Sequence, residues 1–220
     1  MASDTLIPAA VLAPAVFSAV VVIALVACDQ KEFRPGRYLF KPLAAAAFVW
    51  LAWEMGATDS AYGRWLLAGL IACMAGDLLL MPDSERFFLA GLVAFLCAHL
   101  LFAVAFLQLP HNYVGLVATV VPVLLLLVFA SRWLLPCVAR DMKLPVGLYM
   151  VVISGMLLCA GSIAGQPASA LAISGAWGFA ISDLAVARQQ FVKPSRWNGL
   201  WGTPLYFLSQ MILAVSIAQV

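Results

Sequence analysis

The chain is a succession of apolar runs, several of them long enough to cross a bilayer, and that constrains its fold more than any other feature. A helix needs roughly 20 largely apolar residues to span the hydrocarbon core. Runs lie at about 6–27, 39–54, 64–81, 86–108, 113–130, 145–163, 169–187 and 201–219. Polar or Pro/Gly-bearing connectors separate them, among them "CDQKEFRPGR", "GATDSAYG", "PDSE" and "RQQFVKPSRWNG". With 65% hydrophobic and 10% charged residues, the chain is far from the half-apolar, quarter-charged composition of a soluble domain. The expected fold class is therefore all-α: a polytopic membrane protein with a bundle of eight transmembrane helices. No connector is long enough to fold separately, so residues 1–220 read as one domain. The opening "MASDTLIP" has an acid where a cleaved leader has a basic stretch, so the first run is read as a span.

The basic residues set an orientation. Lys31, Arg34, Arg37 and Lys41 fall in the first connector, and Arg86 in the third. Arg132, Arg140 and Lys143 fall in the fifth, with Arg188, Lys193 and Arg196 in the seventh. Of the 12 Lys and Arg residues only Arg64 belongs to the other side. Positively charged loops stay cytoplasmic, so both termini are expected on the non-cytoplasmic side, in a membrane taken as the bacterial inner (cytoplasmic) membrane. A net charge of +2 argues against a nucleic-acid partner.

Two acids interrupt the apolar runs: Asp77 in "ACMAGDLLLMP" and Asp183 in "GFAISDLAVAR". A charged side chain inside a membrane helix costs a few kcal/mol and usually faces a cavity or a partner. From the helical rise, both acids lie roughly 6 to 8 Å inside the basic boundary, on separate helices. Lys41, Tyr149, Ser182 and Tyr206 fall at a similar depth. Gly76 permits close helix approach, and Ser174, Gly178 and Ser182 form a small-residue stripe. Three readings stay open at this point: boundary ion pairs with Arg86 and Arg188, a proton- or cation-coupled transporter, and intramembrane hydrolysis by paired acids.

Other polar residues carry less. His99 sits mid-run as a core residue or a site residue, and Gln210 lies one turn beyond Tyr206 on the same face. The scattered Cys28, Cys73, Cys97, Cys137 and Cys159 read as apolar filler. No metal site is indicated, and no G-x-S-x-G, H-E-x-x-H, Walker or dinucleotide motif occurs. "AGDLLL" and "ISDLAV", four spans apart, together with Lys41-Pro42-Leu43 and Leu144-Pro145-Val146, hint at a 4+4 parallel repeat.

An ordered set of segments then resembles the YhhN family: "KPL" (41–43), "GDLLLM" (76–81), "FFLAGLVAFLCAH" (87–99), "PVGLYMVVISGM" (145–156), "GAWGFAISDLAVARQQF" (175–191) and "PLYFLSQMIL" (204–213). The resemblance implies a lysoplasmalogenase, which cleaves the vinyl ether of a lysoplasmalogen to a fatty aldehyde and a glycerophospho-headgroup. It implies a lysophospholipid substrate among membrane lipids, with no cofactor and no metal. Asp77 and Asp183 are then the expected catalytic pair, by analogy with the two carboxylates of glycosidases. Lys41 is expected at the phosphate. Tyr149, Ser182, Tyr206 and Gln210 are expected to bond the glycerol or hold the acids, with His99 deeper, near the alkenyl slot. A proton-coupled transporter of a lipid or small solute is the alternative, and a non-catalytic lipid-binding protein would tolerate loss of both acids.

Overall fold

The connectors carry the signals that start the helices. In a computed structural model of the chain, which describes residues 9–220, Ser60 accepts from Gly63 N at 3.0 Å. Asn112 Oδ1 accepts from Val114 N at 2.9 Å and Gly115 N at 3.2 Å, and Ser195 Oγ from Trp197 N at 3.3 Å. Each satisfies backbone N–H groups that the first helical turn leaves free. The helices are α1 (Ala9–Gln30), α2 (Arg34–Glu54), α3 (Ala61–Leu79), α4 (Glu85–Phe106), α5 (Tyr113–Leu134), α6 (Lys143–Ser162), α7 (Ser169–Ala187) and α8 (Arg196–Ser216). No strand occurs among the described residues. The expected start of the first run, residues 6–8, lies outside them.

Seven of the eight helices are long and apolar enough to cross a membrane, which makes this a multi-pass membrane protein. The exception is α2, whose first turns carry Arg34, Arg37 and Lys41. Reading spans as uninterrupted apolar runs placed some starts too late. α2 begins at Arg34 rather than 39, with a proline in its first turn, and α8 at Arg196 rather than 201. Backbone hydrogen bonding continues through terminal Arg and Lys because their long stems lie along the helix while the charge reaches outward. The Lys41-Pro42-Leu43 and Leu144-Pro145-Val146 openings are not equivalent: Pro42 sits inside α2, whereas Pro145 lies in the first turn of α6.

Sequence-adjacent pairs pack as hairpins: α1 with α2, α3 with α4, α5 with α6 and α7 with α8. Across the bundle α2 and α1 meet α8, and α4 meets α6. The odd-numbered connectors gather at one end. There Arg34 reaches Asp83 at 2.8 Å, Arg37 and Tyr38 reach the Met81 carbonyl at 3.3 Å, and Arg196 pairs with Glu32 at 2.8 Å. We call this the basic end. Outward faces are also apolar, with Ile23, Val93, Leu125 and Val151 exposed, as expected of helices that face lipid.

Small residues bring the inner faces together. On α7 the seam is made by Gly175, against Leu213, and Gly178, against Ser209. Ser174, expected in that stripe, is exposed and bonds its own helix at Leu171; a three-residue step from 175 to 178 keeps closer to the contact line than the expected start at 174. Gly76 does permit close approach: a Cβ there would lie 2.7 Å from the Phe95 ring. Gly69 does the same at the fully buried ring of Phe102 on α4. Gly69→Val should therefore overpack the α3–α4 contact and cost about 1–3 kcal/mol, read as a lowered thermal midpoint in detergent beside wild type.

Candidate active site

Near the basic end the bundle encloses a cavity of about 690 Å³. Its lining comes from all eight helices, with Asp77 and Asp183 both on it, together with Lys41, Tyr149, Ser182 and Tyr206. On each helix the lining residues fall in the half nearer the basic end or reach just past its middle, as do Ile153 and Ser154 on α6 and Phe207 on α8.

Asp77 is held by two donors from other helices. Lys41 Nζ on α2 lies 3.2 Å from its Oδ1, and Tyr206 OH on α8 donates to its Oδ2 at 2.7 Å. Both carboxylate oxygens are engaged, and the side chain is almost wholly buried. The expected alternative, a boundary pair with Arg86, does not form. Gly76 next in sequence lets α4 close in, so the acid is directed into the bundle rather than to the connector.

Asp183 has different company. Tyr149 OH on α6 donates to its Oδ2 at 2.9 Å. His99 Nε2 on α4 lies 3.4 Å from the same oxygen. That is ion-pair distance, yet the alignment falls short of a hydrogen bond, and His99 Nε2 has no other partner. Arg188, one turn beyond, turns away from the acid to Asn198 Oδ1 at 2.6 Å, so the second boundary pair is also absent. Asn198 in turn donates to Gln189 and to the Lys193 carbonyl, which fastens the π-helical turn Arg188–Val192 at the mouth.

Aromatic rings form the wall between the two acids. Phe179 stacks on His99 at 4.3 Å and leans on Tyr206 at 5.7 Å. Phe95 meets Tyr206 edge-on at 5.9 Å. These rings were not singled out in the sequence, although each stands one helical turn before a site residue: Phe95 before His99 and Phe179 before Asp183. Cys73, one turn before Asp77, is a buried free thiol.

Two expected residues stand apart. Ser182 lines the cavity, but its hydroxyl donates to the Phe179 carbonyl at 2.7 Å and does not hold an acid. Gln210 is fully buried and does not line the cavity, and neither amide atom has a protein partner. His99 also lies behind the lining and reaches the cavity only through Asp183. The arrangement offers two buried carboxylates in unlike environments, a cation beside one of them and an apolar interior behind.

Residues 36–217 match the YhhN family. The chain is 35% identical over 134 residues to a protein of Mycobacterium bovis named lysoplasmalogenase, covering 59% of this chain and 51% of that one. It is 29% identical over 161 residues to human lysoplasmalogenase TMEM86A, covering 70% of this chain and 65% of the human protein. The chain thus spans about half to two thirds of the length of these relatives. No solved structure matches it significantly.

If Lys41 neutralises Asp77, removing the cation alone should strand a buried charge. Lys41→Met is expected to cost about 3–5 kcal/mol, and Lys41→Met with Asp77→Asn distinctly less than the two single changes added together. A double-mutant cycle on thermal midpoints in detergent reads the coupling.

Proposed function

The chain belongs to the YhhN family, and from that premise we propose that it is a lysoplasmalogenase-type ether hydrolase acting on a single-chain vinyl-ether lysophospholipid. The observation that carries the reading is the pair of buried carboxylates, drawn from separate helices into one cavity. Hydrolysis of a vinyl ether begins with protonation of its outer alkene carbon, which creates an oxocarbenium ion. Water adds to that cation, and the hemiacetal collapses to aldehyde and alcohol. The reaction asks for an acid, an anion near the cation and a dry slot for the chain. Asp77 and Asp183 meet the first two needs, as paired carboxylates do at glycosidic oxocarbenium ions.

The lipid is oriented by the cavity's two characters. Its mouth is polar, with Arg37, Lys41, Arg196 and Asn198. There Lys41 and Arg37 receive the phosphate. Tyr149 and Tyr206, already donating to the acids, lie beside the glycerol. The other side of the cavity is apolar: Phe88, Leu92 and Phe95 from α4 face Leu126, Leu127 and Ala130 from α5. α5 packs on α6 but makes no substantial contact with α4, so the alkenyl chain has a lateral way to lipid between them. Gln210 has no assigned contact with the substrate on this reading.

In this proposal all eight helices span a bacterial inner (cytoplasmic) membrane, with the basic end cytoplasmic and both termini outside. The 4+4 repeat enters with it, on the pattern of partners: the second helix of each half serves its own half's acid, Lys41 to Asp77 and Tyr149 to Asp183. The transporter alternative asks for a route to the opposite end, and a lining that stops near mid-helix speaks against it.

Purified wild type is expected to release fatty aldehyde from lysoplasmenyl-ethanolamine, with Asp77→Asn and Asp183→Asn each lowering the rate at least about a hundredfold. Aldehyde assay beside a thermal-shift check of folding tests this. Full activity in both variants would remove the acids from the mechanism, and a well-folded but inert wild type would remove the hydrolase.

A further inference from the structure

We propose that the two acids have fixed and different roles: Asp183 is the proton donor, Asp77 is the anion, and His99 sets that division. The inference rests on the hydrolase reading above and goes beyond it by assigning the proton.

The argument starts at the ring of His99, which is fully buried in the middle of α4. Its Nδ1 lies 2.7 Å from the carbonyl oxygen of Phe95, one turn earlier. A carbonyl only accepts, so Nδ1 must carry a hydrogen. The ring is not free to reverse that choice. It lies flat on Phe179, at 4.3 Å and 12° between planes, and edge-on to Tyr149 at 5.3 Å. Nε2 therefore stays 3.4 Å from Asp183 Oδ2, short of hydrogen-bond alignment, and has nothing else to bond.

With its hydrogen on Nδ1, a neutral imidazole presents a lone pair at Nε2. A lone pair facing a carboxylate is repulsive, so one hydrogen must lie between the two residues. It can sit on the ring, giving an imidazolium–carboxylate pair, or on the acid, giving two neutral groups. A buried ion pair persists only when its geometry is excellent, and this one joins a fully buried ring to the acid at 3.4 Å, out of hydrogen-bond line, whereas Lys41 keeps partial access to water. Here Asp183 has a single additional donor, Tyr149, and no Lys or Arg contacts it among the described residues. The neutral arrangement needs no such support. Its Oδ2–H is free to rotate toward His99 Nε2, and the same oxygen accepts from Tyr149, as a hydroxyl oxygen can.

Asp77 has the opposite surroundings. Lys41 Nζ lies against Oδ1 and Tyr206 OH donates to Oδ2. A cation and a donor on an acceptor-only group define a carboxylate.

The reaction then balances without a further reagent. Asp183 gives its proton to the outer alkene carbon, forming a C–H bond as the alkene electrons move to make the oxocarbenium. The Asp77 carboxylate stabilises that cation. Water adds its oxygen to the cationic carbon and returns a proton to Asp183. The hemiacetal hydroxyl proton passes to the ether oxygen as the C–O bond breaks, leaving aldehyde and alcohol. His99 lies behind the cavity lining, so it acts as a positioning residue. Once Asp183 has given up its proton, the carboxylate faces the Nε2 lone pair and is driven to take a proton back.

The test is the infrared carbonyl band of a protonated carboxyl, recorded on the full chain at neutral pH in an ester-free detergent, beside aldehyde release. Wild type should show the band. Asp77→Asn should keep it, Asp183→Asn should lose it, and Asp183→Glu, which retains a carboxyl, should shift it. His99→Phe, which keeps an aromatic ring on Phe179 but no Nε2, should displace the band and lower kcat about a hundredfold with KM little changed. A band that survives Asp183→Asn, vanishes in Asp77→Asn or is missing from active wild type overturns the assignment and leaves the hydrolase standing. An inert wild type removes the hydrolase reading, and the catalytic role of Asp183 with it, whatever the bands show.

Discussion

A carboxyl group inside an apolar bundle has to be met by donors, and here those donors come from helices distant in sequence. Asp77 on α3 draws Lys41 from α2 and Tyr206 from α8. Asp183 on α7 draws Tyr149 from α6 and brings His99 of α4 alongside. Six of the helices are thereby tied together at one depth. Packing between apolar helices in a membrane has little hydrophobic driving force of its own, so polar contacts at one level weigh heavily in selecting one arrangement. The acids that make the site chemically useful are also what fixes the helices around it.

The ties follow a crosswise scheme. Each acid stands on the third helix of its half of the chain and is served by the second helix of the same half and the fourth helix of the other. The contacts between helices follow the same scheme, α2 with α8 and α4 with α6. It breaks at one place. α1 packs against α8, while its counterpart α5 makes no substantial contact with α4. The departure coincides with the apolar side of the cavity, where α4 and α5 contribute facing rows of side chains. A bundle closed equally on both sides would leave a lipid tail no lateral way in.

Much of this could be read from the sequence, for physical reasons. Length and hydropathy are local properties, so the apolar runs located the helices, and the errors lay at their ends: the charged first turns of α2 and α8, and the last turn of α5, which runs to Leu134 rather than 130. Depth follows from counting residues along a helix, so Lys41, Tyr149 and Tyr206 were rightly grouped with the acids. Rotation about a helix axis and pairing between helices are not local. Nothing in the spacing distinguishes Lys41 from Arg86 as the partner of Asp77, or His99 from Arg188 as the neighbour of Asp183. Ser182 was chosen for lying beside an acid, yet its hydroxyl is taken by its own helix, a common outcome for serine in a helix. Gln210 shares a helix face with Tyr206, but one turn along that face is enough to leave the cavity.

The shape of the cavity bears on how a hydrolase at this site would finish its cycle. Cleavage at the depth of the two acids divides an amphipathic lipid into a wholly apolar aldehyde and a wholly polar glycerophospho-headgroup. The products have opposite solubilities, and a single exit would suit only one of them. The basic mouth, with Arg37, Lys41 and Arg196, favours departure of the anion into water. The α4–α5 side, lined by Phe88, Leu92, Leu126 and Leu127, favours departure of the aldehyde into lipid. Water has to come from the mouth as well, because the lining does not continue toward the other end. In such a cycle the headgroup and the water would share one route, and the tail would take the other. That division would keep the apolar side dry around the oxocarbenium and bring water to it from the polar side of the cavity.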